Sequence, residues 1–140
     1  MIRGVDSVLL YVGDLETSLQ YYRDLLGFTV NFVAPAEEGG VAGLRMGDIA
    51  LILHSDRDTR PGYLPASGAR GRGVILHVEV DDVDRYHGEL VKRGVEISLG
   101  PTDQSWGARA MYLYDPDGYN LSFVQRVAPR RGTPSESRAT

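Results

Sequence analysis

His77 and Glu79 are the pair in this chain whose types and spacing best suit acid–base chemistry. Only Val78 separates them, so on an extended strand both side chains point to one side. An imidazole oriented by a carboxylate is a competent general base. His54 adds a third group of the kind that binds transition metals. These three are spread over two strands, at steps of ~6.6 Å for every two residues. So incomplete a donor set favours hydrogen bonds between His77 and Glu79, or to a ligand, over a metal. His87, on a helical segment, is given no role.

Trp106 is the only tryptophan. Beside a cavity it can stack on a planar ligand, or it can plug the open end of a sheet. Arg109 is placed to hold an anion or to pair with Glu79. Ser7 and Ser122 have no neighbouring base and no Gly-x-Ser-x-Gly elbow, so neither reads as a nucleophile. The Gly68–Gly73 stretch lacks the Lys-Ser/Thr of a phosphate loop and enters a strand rather than a helix.

Composition narrows the classes. The 140 residues carry a net charge of -4, which argues against a nucleic-acid partner. There is no cysteine, hence no disulfide, thiolate metal site or cysteine nucleophile. No apolar run reaches the ~20 residues of a membrane span, and no signal-peptide core precedes the first strand. The expected compartment is the cytoplasm.

The elements that must position these residues come in two similar series. Val5 to Val12 reads as a strand, Asp14 as a helix N-cap, and Leu15, Leu19, Tyr22 and Leu26 as a helical stripe stopped by Gly27. Strands are expected at Phe28–Ala34, Val41–Met46 and Ile49–His54, with a turn at 37–40. After a loop over 55–73 the order returns: strand Val74–Val80, a helix capped by Asp82 and stopped at Gly94, and strands Val95–Leu99, Ala108–Tyr114 and Tyr119–Gln125. Asp115-Pro116-Asp117-Gly118 is a turn, and Asp117-Gly118 carries only that structural meaning. A shift of 68 lays Val12 on Val80 and Asp14 on Asp82. The prediction is one α+β domain over 1–126, of two βαβββ modules (5–54 and 74–126) curled round a ligand cavity with helices outside. A disordered tail over 127–140 follows.

In that frame the chain resembles the vicinal-oxygen-chelate superfamily of glyoxalase I, bleomycin-resistance proteins, extradiol dioxygenases and fosfomycin-resistance enzymes. The stretches that carry the resemblance are Val12-Gly13-Asp14-Leu15 with Ser18, Tyr21-Tyr22, Leu26-Gly27-Phe28, Ser105-Trp106-Gly107-Ala108-Arg109 and Asp115-Pro116-Asp117-Gly118-Tyr119. It implies a dimer-forming fold with the sheet around a ligand. Its metal-dependent members carry ligands at the positions of Ser7, Ile52, Ile75 and Ser122. Two hydroxyls and two hydrocarbons are poor metal ligands. The expectation is therefore no metal and no cofactor, in a chain closest to the bleomycin-resistance branch. It would bind a partly aromatic small molecule through Ser7, Leu9, Tyr11, Ile52, His54, Ile75, His77, Glu79, Trp106, Arg109 and Ser122. The rival expectation is an enzyme, with His77 and Glu79 as acid–base pair or a displaced metal site.

Overall fold

The computed structural model describes residues 1–34, 39–58 and 70–127. Most of the 55–73 loop, the tail beyond 127 and the Glu37-Glu38 turn lie outside the described residues. The chain divides into two compact units, 1–72 with 115–119, and 73–114 with 120–140.

The first unit runs β1 (Ser7–Val12), α1 (Leu15–Gln20), a π-helical turn (Tyr21–Leu25), β2 (Val30–Ala34), β3 (Val41–Met46) and β4 (Ile49–Ser55). Its four strands stand in the order β1-β4-β3-β2, with β1 parallel to β4 and the other pairs antiparallel. Asp14 caps α1, its carboxylate accepting from the Glu16 N–H at 3.1 Å. The stripe Leu15, Leu19, Tyr22, Leu26 predicts one continuous α-helix, but the last turn widens to π. There the Leu26 N–H donates to the Tyr21 carbonyl. The stripe buries Leu19, Tyr22 and Leu26 against Leu10, Val12, Leu44, Leu51 and Leu53.

The second unit runs β5 (Ile75–Glu79), α2 (Val83–Lys92), β6 (Leu99–Gln104), β7 (Ala108–Tyr114) and β8 (Asn120–Arg126). Its strand order, β5-β8-β7-β6, repeats that of the first. Asp82 caps α2 by accepting from the Arg85 N–H at 3.1 Å, and Gly94, at φ +81°, ends it. Val83 and Leu90 pack with Met111, Leu113, Leu121 and Phe123, and the Tyr86 ring lies 5.0 Å from that of Phe123. The architecture is α+β, with a four-stranded mixed sheet in each unit.

One strand differs from expectation. Val95–Leu99 is not β6: Val95 is a buried core residue, and the strand begins at Leu99 and runs through Gly100 and Pro101 to Gln104. Gly-Pro reads as a break, yet β6 is an edge strand, where a missing N–H need face no neighbour. The break survives only as a register shift between Leu99 and Thr102.

Candidate functional site

Alternation along the strands of the second unit gives its sheet two faces. Leu76 and Val78 stand in register with buried Leu121 and Phe123, on the face that meets α2. The other face carries Ile75 beside Asn120, His77 beside Ser122 and Tyr112, and Glu79 beside Val124 and Ala110. At its centre Ala108, Ala110 and Val124 form a buried apolar floor against which Tyr112 packs. The sequence expectation for His77, Glu79, Ile75 and Ser122 on one face therefore matches the register.

Trp106 joins them. Its ring centroid is 5.7 Å from that of His77, edge to face, and the guanidinium of Arg126 sits 5.2 Å from the Trp106 centroid. Trp106 keeps 43% of its surface exposed, so it does not plug the sheet end. Burial, and after it the charge of Arg126, lowers the His77 pKa, leaving the ring neutral at pH 7. Among the described residues no hydrogen bond joins His77 to Glu79, so the expected acid–base pair is not formed. Side chains at i and i+2 run side by side on the sheet, and here the His77 ring turns to Trp106. Ser122 Oγ and Asn120 Oδ1, both buried, have no hydrogen-bond partner among the described residues. A buried polar group left this way is costly, and a ligand atom would satisfy it.

Arg109 lies elsewhere. In register with Asp103 and Gln125, it stands on the α2 side of the sheet. Its guanidinium holds Asp84 at 2.9 and 3.0 Å and Asp103 at 3.1 Å. Those bonds, to Asp84 first, raise its pKa further. Odd positions of β7 face the helix while even ones face the floor. Arg109 therefore neither pairs with Glu79 nor lines this face.

In the first unit the face opposite α1 carries Ser7 beside Ala50, Leu9 beside Ile52 and Gly43, and Tyr11 beside His54 and Val41. Leu9 is 40% exposed and Ile52 half-buried. His54 is buried, its Nε2 donating to the Asp58 carboxylate at 2.8 Å and its ring 5.5 Å from that of Tyr11. Among the described residues the hydrogen-bonded histidine–carboxylate pair is thus His54–Asp58. A cleft of about 370 Å³, lined by Thr17, Gln20, Tyr21, Asp24, Leu25 and Pro116, contains none of the candidate residues.

Two features escaped the sequence reading. Arg126 continues the 120, 122, 124 alternation by one step, a signal that extending β8 would have caught. The Asp115–Tyr119 turn does more than reverse the chain. Asp117 accepts from the Gly13 N–H (2.9 Å), the Ser18 hydroxyl (3.1 Å) and Arg70 (2.7 Å), while Arg70 also pairs with Asp56. Burial works against the Arg70 charge, but Asp56, with Asp117 and Tyr119 behind it, outweighs that and raises the pKa. Asp115 takes the Tyr22 hydroxyl at 2.7 Å and the N–H groups of Asp117 and Tyr119.

The superfamily's metal positions, Ser7, Ile52, Ile75 and Ser122, offer no imidazole or carboxylate here, and the neutral Ser122 hydroxyl is buried. They do not fit a divalent cation. Among the described residues no group of three or more His, Asp and Glu gathers into a cation site.

Two βαβββ units, each with a helix on one sheet face and mixed polar and aromatic side chains on the other, define a glyoxalase-type fold. The chain belongs to the Glyoxalase/Bleomycin resistance protein/Dioxygenase superfamily, whose family profile matches residues 4–123. It is 26% identical over 127 residues to the bleomycin resistance protein of Geobacillus stearothermophilus, covering 84% of this chain and 93% of that one. It is 28% identical to the glutathione transferase FosA of Serratia marcescens, covering 96% and 92%. A glyoxalase/bleomycin resistance protein/dioxygenase structure from Nocardioides superposes with a TM-score of 0.75 at 26% identity, over 95% and 90% of the two chains. These relatives include a resistance protein and a transferase by name, so the superfamily leaves the activity open.

Proposed function

We propose that this chain is a metal-independent protein that binds a partly aromatic small molecule, as a cytoplasmic carrier or sequestering agent of the bleomycin-resistance kind. The observation that carries the reading is the half-exposed Trp106, braced by His77 and Arg126 next to the Ala108, Ala110, Val124 floor. An apolar platform with a few placed polar groups is the usual form of a ligand site. Tyr11, Leu9 and Ile52 give the first unit a comparable apolar face. The four non-ligating residues at the superfamily's metal positions support the absence of a metal step. The binder is a homodimer in this reading, since each sheet ends on strands with a single hydrogen-bonded neighbour.

One observation favours an enzyme instead: His77 is held neutral and is therefore able to accept a proton. Purified protein separates the readings. Elemental analysis should find no stoichiometric Zn, Fe, Ni or Mn, a chelator should leave Tm unchanged, and mass spectrometry should recover a co-purifying aromatic compound unaltered on incubation. One equivalent of metal, or conversion of that compound, overturns the proposal.

A further inference from the structure

Arg126 is the one cation that touches the Trp106 ring among the described residues, and there no carboxylate lies within ion-pair distance of it. The other arginines of the second unit with ion pairs among the described residues meet acids: Arg109 pairs with Asp84 and Asp103, and Arg85 and Arg93 pair with Glu89. A guanidinium stacked on an indole is held by its π face and keeps its in-plane N–H donors for a second partner. Those donors match the two oxygens of a carboxylate in a bidentate pair. Arg126 stands in register with Ala108, at the edge of the apolar floor formed by Ala108, Ala110 and Val124. A flat hydrocarbon body set on that floor against Trp106 would bring an acidic group at its rim to Arg126.

Glu79 is the opposing charge on this face. It is exposed, in register with Val124 rather than Ala108, and in no ion pair among the described residues. His77 meets the Trp106 ring edge to face, and burial, with the Arg126 charge after it, lowers its pKa and so disfavours the imidazolium. The charged group against the Trp106 ring among the described residues is therefore a cation, although the chain as a whole is acidic.

We infer that the ligand of this face is a planar aromatic anion of the aryl carboxylate class, with Arg126 as the residue that selects its charge. The inference rests on the binding role proposed above and sharpens it. Three isosteres test it: 2-naphthoate, neutral 2-naphthamide and the cation 2-naphthylmethylammonium. Calorimetry gives affinities, and the single indole N–H signal of the full chain, which belongs to Trp106, reports contact by NMR. Naphthoate should shift that signal and bind about tenfold or more tighter than the other two, as a charge-assisted hydrogen bond predicts. Arg126→Gln should erase the preference, bringing naphthoate to the affinity that naphthamide shows on the same variant, and Arg126→Lys should keep part of it. Equal affinities, a preference for the cation, or a naphthoate preference that survives Arg126→Gln overturns the charge assignment alone. Failure of all three to shift the Trp106 signal overturns the binding role with it.

Discussion

Asp115 shows how far one side chain's environment outruns its sequence context. In sequence it is part of a local turn, yet it is 5% exposed and accepts from buried Tyr22 at 2.7 Å. Burial raises the Asp115 pKa above its ordinary value, outweighing the hydrogen bonds from Tyr22, Tyr119 and Asp117 that favour the carboxylate; the nearby Asp117 charge adds to the rise. Burial and the Asp115 charge also push the Tyr22 phenol far above its usual range. The sign of the linkage follows. Above the unfolded carboxylate pKa the unfolded chain has lost a proton that the folded chain still holds. Stability from this group is thus present at lower pH and drains as pH rises through the folded pKa. Asp115→Asn removes the titration. Urea melts across mildly acidic pH should show the variant gaining on the parent as pH rises, by at most about 1.4 kcal/mol per pH unit. Parallel curves would show that burial does not dominate at Asp115.

At the scale of elements, the pairing of β2 with β3 depends on a side chain that is missing. Gly43 sits between Phe32 and Ile52, and a Cβ there would lie 2.2 Å from the Phe32 ring. The ring therefore lies across the glycine while remaining 49% exposed. Gly43→Ala must push the ring aside, at a cost of about 1–3 kcal/mol by the usual scale of overpacking. In a Phe32→Ala background the same change should cost almost nothing, because the two residues share one space. Denaturant unfolding of the four proteins measures this coupling, and additive costs would refute the contact.

For the whole molecule, the dimer expectation belongs with the sheet edges. Phe32 and Val33 on edge strand β2 are 49% and 48% exposed, apolar surface that a second copy would cover. Sedimentation at micromolar concentration should give twice the 15.4 kDa chain mass, and a monomer there rules the dimer out.

What the sequence by itself determined is the local and periodic part of this protein. The repeat, both N-caps, the glycine helix stops, seven of the eight strands among the described residues and the shared face of Ile75, His77, Glu79 and Ser122 follow from side-chain chemistry and a period of two, whereas Arg109 took the face opposite to the one expected. Pairing partners were decided only in the tertiary structure, because hydrogen bonds and ion pairs form between groups distant along the chain. Arg109 turned to Asp84 across 25 residues. His54 chose Asp58. Asp117 reached Gly13 across 104 residues. Alternation told that His77 and Glu79 share a face, but only the placed Trp106 ring, itself on a loop without periodicity, drew His77 away and set Arg126 over the indole.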